Sequence, residues 1–477
     1  MTLPRMVIAA PRSGEGKTTV ALGIMAALRQ RGLRVQGFKV GPDYLDTGYQ
    51  RFATGVAGRN LDLFMMGADV VREALAATVA TADVAVIEGV MGLFDGHNDG
   101  VTAASTADVA KCASAPVILV LDASHMAASA GALALGFKTF DPEVRLAGVI
   151  LNRWNPRRDK RPLAAALARA GVEVLGYLPA VDAGALPSRH LGLVVAGELG
   201  AEAQTVVDRL GAELAEHVDI DRLLELASAA PALLAAPAAV APAGRAPFGS
   251  APEAPGMPAA EAPVAPGPRI AVAWDDAFAF YYADNLALLR AHGAELCFFS
   301  PLTAAELPAC DGLYLGGGYP ELHAAGLAAN EPLRRHLAAA LQAGLPAYAE
   351  CGGLLYLCES LVDLQGDTWP LVGAVPGRAV MHERLQGMGY RRATLAGDSL
   401  LGVAGVTLRG HEFRYSSCEL DERGAPAYLV DGEPEGYAAG DLFASYIHIH
   451  FAGHPTALEH WLGRCRARAH RPGGRPS

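Results

Sequence analysis

The chain has 477 residues, 51% of them hydrophobic and 19% charged, which calls for two or three domains rather than one core. Its net charge of −11 excludes nucleic acid as a general partner and leaves any anionic substrate to a local basic cluster. Its apolar runs fall short of the roughly 18–20 residues of a membrane span, no secretory leader opens the chain, and the seven cysteines lack a CxxC pair. These features predict a cytoplasmic protein that meets no membrane.

A buried strand over residues 6–10 runs into Ser13-Gly-Glu-Gly-Lys-Thr-Thr19, and residues 18–31 read as a helix ended by Gly32. A strict phosphate loop opens on glycine, where this chain has Pro11. The remainder fits: backbone amides of Ser13, Gly14, Gly16 and Thr19 cradle phosphate, Lys17 neutralises it, and Thr18 reaches Mg²⁺. The alternative is a plain Gly-rich turn into a helix.

Further strands are predicted at 34–38, 84–88, 117–121 and 146–151, alternating with helices, so the first half is a parallel α/β sheet. Ligands gather at the C-terminal ends of such strands. Gly41-Pro-Asp-Tyr-Leu-Asp46 follows the second strand, Glu88 ends the third, and Asp95 comes shortly after. Hard oxygen ligands there suit Mg²⁺, with Thr18, Asp43 and Glu88 as the predicted set. Asn152, just past another strand, is a candidate hydrogen-bond partner for adenine.

Residues 229–268 are dominated by Ala and Pro and read as a semi-stiff linker. It separates a predicted domain 1–228 from a second, 269–464, and 465–477 read as a frayed basic tail. The second domain opens with a strand at 270–274 and a helix around 285–292, and turns strand-rich after about Trp369, at 390–395, 406–415 and 442–451.

Residues 345–357 read as strand, tight turn and helix, with Cys351 at the turn. The head of a helix favours thiolate, and Gly352 and Gly353 keep the approach open. Tyr446-Ile-His-Ile-His450 offers imidazoles, and a cysteine paired with a distant histidine is a nucleophile pair. Alternation puts His448 and His450 on one face, while His411, Glu412 and His454 are alternative bases or structural partners. The glycines at 316–318, Gly317 and Gly318 in particular, would bring amides to a developing oxyanion. These are the parts needed to release ammonia from glutamine through a thioester.

With these motifs the chain resembles the cobyrinate (hydrogenobyrinate) a,c-diamide synthase family. The resemblance is carried by residues 13–19, Phe38-Lys-Val-Gly-Pro-Asp-Tyr-Leu-Asp46, Arg59-Asn-Leu-Asp62, Glu88-Gly-Val-Met-Gly-Leu-Phe-Asp-Gly96, Pro187-Ser-Arg-His-Leu-Gly-Leu193, 277–282, 314–322 and Ala349-Glu-Cys-Gly-Gly353. It implies a dethiobiotin synthetase-like P-loop domain followed by a class I glutamine amidotransferase domain. It gives Cys351 the nucleophile role and His448 the base role, and ties Asp43, Tyr44, Leu45, Glu88 and Asp95 to Mg-ATP and to the substrate carboxylate. The implied activity is amidation of two carboxylates of cobyrinate or hydrogenobyrinate, with ATP and L-glutamine, through an acyl phosphate.

The usual class I glutamate two residues past the histidine is His450 here, and Arg414 replaces the second histidine of Gly-His-Glu-Phe-His-Tyr-Ser. The third, orienting member of the glutaminase site is therefore open. Lys39, Arg59 and Arg189 are candidate contacts for the polycarboxylate. The rival readings are cobyric acid synthase, nickel-sirohydrochlorin diamide synthase, a partitioning-ATPase-like switch and a stand-alone glutaminase.

Overall fold

The computed structural model describes residues 2–96, 103–180, 200–233, 267–421 and 424–470. They form two compact units, the first drawn from described residues up to 233 and the second from 267 onward. Residues 234–266, which hold most of the expected linker, lie outside the described residues, as do Arg189 and the 187–193 motif.

In the first unit seven strands lie parallel: β1 (Arg5–Ala9), β2 (Val35–Val40), β3 (Arg59–Leu61), β4 (Val84–Glu88), β5 (Val117–Asp122), β6 (Leu146–Trp154) and β7 (Val174–Pro179). Their order is β3-β2-β4-β1-β5-β6-β7. Five were expected; the edge strand β3 has only three residues, and β7, at the other edge, is partly exposed and lacks a continuous buried run. Every residue of β1, β2 and β4 is buried, as strands covered on both faces must be. β4 and β5 flank β1, with Ile8 in register with both Glu88 and Ile118. The loops after β1 and β4 therefore leave the sheet side by side, where strand order reverses and α/β sheets bind ligands.

The second unit opens with β8 (Arg269–Ala273), followed by a two-stranded ribbon made from β9 (Phe278–Phe280) and β12 (Gly317–Gly318). Its main sheet runs β10 (Glu295–Phe299), β8, β11 (Gly312–Leu315), β13 (Ala347–Glu350), then the strand Leu442–Ser445, all parallel, and antiparallel Tyr437–Ala439 at the edge. Two smaller sheets supply the expected antiparallel end; one holds Gly387–Leu395, Thr407–Arg414 and His448–Ile449.

Two boundaries differ from expectation. The run 442–451 is not one strand. It leaves the parallel sheet at Ser445 and joins an antiparallel sheet at His448, because a hydrophobic run does not reveal which partner each half finds. The final helix, Pro455–Ala469, also continues past the predicted tail start, since Leu458, Trp461, Leu462 and Cys465 form one buried stripe. Among the described residues no helix is long and apolar enough to cross a membrane.

Candidate active sites

In the first unit β1 feeds residues 11–16, and α1 (Lys17–Gln30) starts at once. Gly16 is left-handed, at φ 94°, and no side chain caps α1, so the helix start is suited to an anion. A Cβ at Gly16 would stand 2.1 Å from Asn152 Nδ2. Asn152 Nδ2 donates to the Glu15 carbonyl at 2.8 Å. The amide expected to meet adenine thus also braces the phosphate loop. Gly16→Ala combines this clash with left-handed strain worth about 1–3 kcal/mol. We expect it to weaken ATP binding by roughly tenfold or more, measured by calorimetry, with glutaminase turnover unchanged.

Lys17 is buried, and its Nζ donates to the Arg12 carbonyl at 3.2 Å and to that of Met91. Burial, then the nearby Lys39 charge, pushes the Lys17 ammonium down. A phosphate anion beside Lys17 would relieve both effects. Thr18 Oγ1 donates to Glu88 Oε1 at 2.7 Å, and Gln50 Nε2 donates to Glu88 Oε2 at 3.1 Å. Lys39, expected as a substrate contact, is instead buried between Glu88 Oε1 at 2.9 Å and Asp46 Oδ2. Burial alone would lower the Lys39 pKa, but Glu88, Asp46 and Asp43 outweigh it and hold it raised. Burial, then the Asp46 charge, lifts Glu88 to about 7. Arg59 is likewise buried, stacked on Phe38 with its guanidinium carbon 5.6 Å from the ring centroid.

Asp43 Oδ1 accepts the amides of Leu45 at 2.8 Å and Asp46 at 3.2 Å, so it starts α2 (Leu45–Thr54), with Tyr44 at the helix cap. Burial, then Asp46, pushes its carboxyl up. Asp95 is exposed and accepts the Gly92 amide at 2.8 Å. Its segment is pinned beside the phosphate loop by Leu93 N–H to the Ala10 carbonyl at 2.9 Å.

Ser13, Gly14, Lys17, Thr18 and Thr19 thus share one end of the sheet with Asp43, Glu88 and Asp95. The sequence reading left Asp46, Gln50 and Arg153 without roles. Asp46 was visible within the loop motif, three residues past Asp43. Arg153, which donates to the Gly14 carbonyl at 2.9 Å, gave no local signal.

In the second unit Cys351 directly follows β13, at φ 49°, ψ −103°. Such strain in a residue with a side chain costs about 1–3 kcal/mol and persists where the surroundings enforce it. Here Cys351 N–H donates to the Ser445 carbonyl at 2.7 Å. The helix that follows, Gly352–Leu357, has only six residues, so the expected dipole contributes little and the activating charge must come from elsewhere.

His448 supplies it. His448 is buried, and its ring is hydrogen-bonded to the Cys351 thiol. Burial pulls the imidazole down, but Cys351 and Glu350 overcome it and hold His448 raised, at about 10. A Cβ on Gly317 would sit 2.7 Å from His448 Cε1, and one on Gly352 would sit 3.1 Å from the Gly318 nitrogen. Both predicted oxyanion glycines therefore border the Cys351–His448 pair.

The other histidines separate cleanly. His450 Nε2 faces Asp284 Oδ2 at 3.6 Å. His454 Nε2 meets the Arg409 backbone at 3.0 Å, and burial lowers it to about 4. His411 lies across the strand pair from His448, with ring centroids 6.4 Å apart, and burial lowers it to about 3. Glu412 is held by Arg391 Nη2 at 2.6 Å and Arg414 Nε at 3.2 Å. Arg414 also stacks on Tyr446, so the departure from histidine makes a tether.

Residues 6–194 match the family model described as the CobQ/CobB/MinD/ParA nucleotide binding domain. Residues 269–456 match that of the CobB/CobQ-like glutamine amidotransferase domain. A cobyrinate a,c-diamide synthase of Listeria monocytogenes serotype 4b is 43% identical over 472 residues, covering 96% of this chain and 99% of the relative. A hydrogenobyrinate a,c-diamide synthase of Streptomyces coelicolor is 43% identical, covering 97% and 98%. A cobyrinate a,c-diamide synthase of Salmonella typhimurium is 43% identical, covering 96% and 98%. An N-terminal P-loop nucleotide-binding domain and a C-terminal glutamine amidotransferase domain stand in the same order as the two units, and the chain belongs to the cobyrinate a,c-diamide synthase family.

Proposed function

We propose that this enzyme converts the a- and c-carboxylates of cobyrinate or hydrogenobyrinate to amides, using ATP and L-glutamine, in the cytoplasm. The observation that carries the reading is the strained Cys351 hydrogen-bonded to His448, in a chain whose other unit holds a phosphate loop. The Cys351 thiolate attacks the glutamine side-chain carbon, and the amides of Gly317 and Gly318 receive the oxyanion. The His448 imidazolium protonates the departing nitrogen, releasing ammonia and leaving a glutamyl thioester. Neutral His448 then takes a proton from water, and hydrolysis returns glutamate and the thiol.

In the first unit Lys17 and the loop amides, with Ser13, Gly14, Gly16 and Thr19, bind the ATP phosphates. Attack by a substrate carboxylate on the γ-phosphorus releases ADP, and ammonia displaces phosphate from the acyl phosphate. Asp43, Tyr44, Leu45 and Asp95 border the place where that carboxylate would be oriented. Thr18 Oγ1 and Glu88 Oε1 put two hard oxygen donors side by side, which fits Mg²⁺. Among the described residues no group of three His, Cys, Asp or Glu side chains is set for a metal, so Thr18, Glu88 and nearby Asp43 would share the ion with phosphate oxygens and water. When bound, Mg²⁺ offsets charge on the transferring phosphoryl group.

The test is mass spectrometry of each macrocycle after incubation with purified enzyme, ATP and glutamine. Gain of two amides on cobyrinate or hydrogenobyrinate supports the reading, and gain of none on either overturns it.

The His448 environment sets a pH dependence. Its folded pKa of about 10 lies above the ordinary value near 6.5. The imidazolium is therefore kept through neutral pH and lost as pH rises through about 10, and its contribution to stability is present below about 6.5 and is lost over the same rise. We expect glutaminase kcat/KM to fall on the alkaline side with a midpoint near that value, read from initial rates against pH.

A further inference from the structure

We propose that Glu350, the residue immediately before the nucleophile, is the positioning acid that fixes the orientation and tautomer of His448. The inference rests on the glutaminase reading of Cys351 and His448 and names the third group of that site. Glu350 is 1% exposed. Its Oε1 accepts the Tyr348 hydroxyl and the Ile449 amide, the latter at 3.0 Å, and its Oε2 accepts the Tyr314 hydroxyl at 3.0 Å. Oε2 also faces His448 Nδ1 at 3.8 Å.

The placement follows from the backbone. Tyr348 and Glu350 point to the same side of β13, and Tyr314 is in register with Tyr348 on the neighbouring strand. The carboxylate is thereby buried, on the face that Tyr348 and Tyr314 share. The Ile449 amide, one residue past His448, ties the histidine strand to that same carboxylate. Three donors stabilise a buried carboxylate without a full cation, and beside the Tyr314 and Tyr348 phenols the ring it faces is the His448 imidazole.

The separation of 3.8 Å is an ion-pair distance rather than a hydrogen bond, and such contacts tighten when substrate is bound. With Nδ1 held toward Glu350, Nε2 is the nitrogen turned to the thiol, as the chemistry requires. His450, in the position of the usual class I glutamate, is turned to Asp284 instead.

Other groups also face this centre. Cys351 and Tyr348 lie on or beside β13, Tyr314 is on β11, His411 is on the strand Thr407–Arg414, and Tyr446 lies between Ser445 and His448. Of these, Glu350 and Cys351 are the groups whose charge acts on His448 to raise it. The bland alternative is that Glu350 only anchors the Ile449 backbone. Glu350→Gln separates the two roles, since its carbonyl can still accept the Ile449 amide and the Tyr348 hydroxyl while the charge is gone.

For Glu350→Gln in the full-length enzyme we expect glutaminase kcat to fall about 10²-fold or more, with KM within threefold of wild type. The alkaline limb of the pH profile should move from about 10 toward neutrality. Glu350→Asp, which restores charge at shorter reach, should recover part of both. Amidation driven by added ammonium chloride should be unchanged in each. A Gln variant with the wild-type kcat and alkaline limb overturns the proposal. So does an equal kcat loss in both variants without movement of the limb. Either result, found while Cys351→Ala remains inactive as a glutaminase, sinks the role of Glu350 and leaves the glutaminase reading standing.

Discussion

Cys351→Ala is expected to abolish glutamine-dependent amidation, with glutaminase turnover falling by about 10⁴-fold or more, while amidation from ammonium chloride continues near the wild-type rate. In the proposed reaction the Cys351 sulfur is the atom that bonds to glutamine, and no other described thiol is hydrogen-bonded to a histidine raised as His448 is. Cys310, Cys358 and Cys465 are buried, and burial raises Cys310 and Cys465 to about 11 or beyond. The change removes one sulfur from a half-buried turn, and alanine retains the burden of a side chain at positive φ, so the fold should survive. The paired assay is the informative measurement. Loss of both glutamine- and ammonia-dependent synthesis would show that Cys351 serves the whole molecule's integrity and would end the two-site assignment.

The second large effect is expected at the other unit. Lys17→Met keeps the aliphatic stem but removes the charge beside the phosphate loop. Removing one preorganised charge from such a site costs roughly 10²–10³-fold in turnover. We expect amidation to fall by that order with either nitrogen donor, while glutamine hydrolysis measured without macrocycle persists. Ammonia-dependent synthesis at the wild-type rate in Lys17→Met would mean that phosphoryl transfer occurs elsewhere. Together the two variants give opposite patterns, one losing only the glutamine route and the other losing both.

The replacement of Lys39 as a substrate contact also changes what its mutation would report. A buried ammonium flanked by Glu88 and Asp46 holds the strand ends together, and removing it would strand two carboxylates in the core. Activity lost in a Lys39 variant therefore reads as damage to the nucleotide site's framework until stability has been measured.

What the sequence by itself determined were the features written in contiguous residues. The phosphate loop, the strand-turn-helix at Cys351, the glycines at 317 and 318 and the alternation of strands and helices each depend on local backbone geometry and burial period, which a short window contains. What the tertiary structure decided were the pairings made across the sheets. His448 was distinguished from His450, His411 and His454 only by the partner each one meets, Cys351 for His448, Asp284 for His450, the Arg409 backbone for His454 and His448 itself across the strand pair for His411. Asn152 reached Glu15, and Lys39 reached Glu88 and Asp46, because strands distant in sequence are adjacent in the parallel order. Glu350 stood in plain view beside the nucleophile, yet its facing of His448 depends on a strand found about a hundred residues later. The period of a segment specifies which faces are buried, while the partner each buried charge meets depends on strand order, which no single segment encodes.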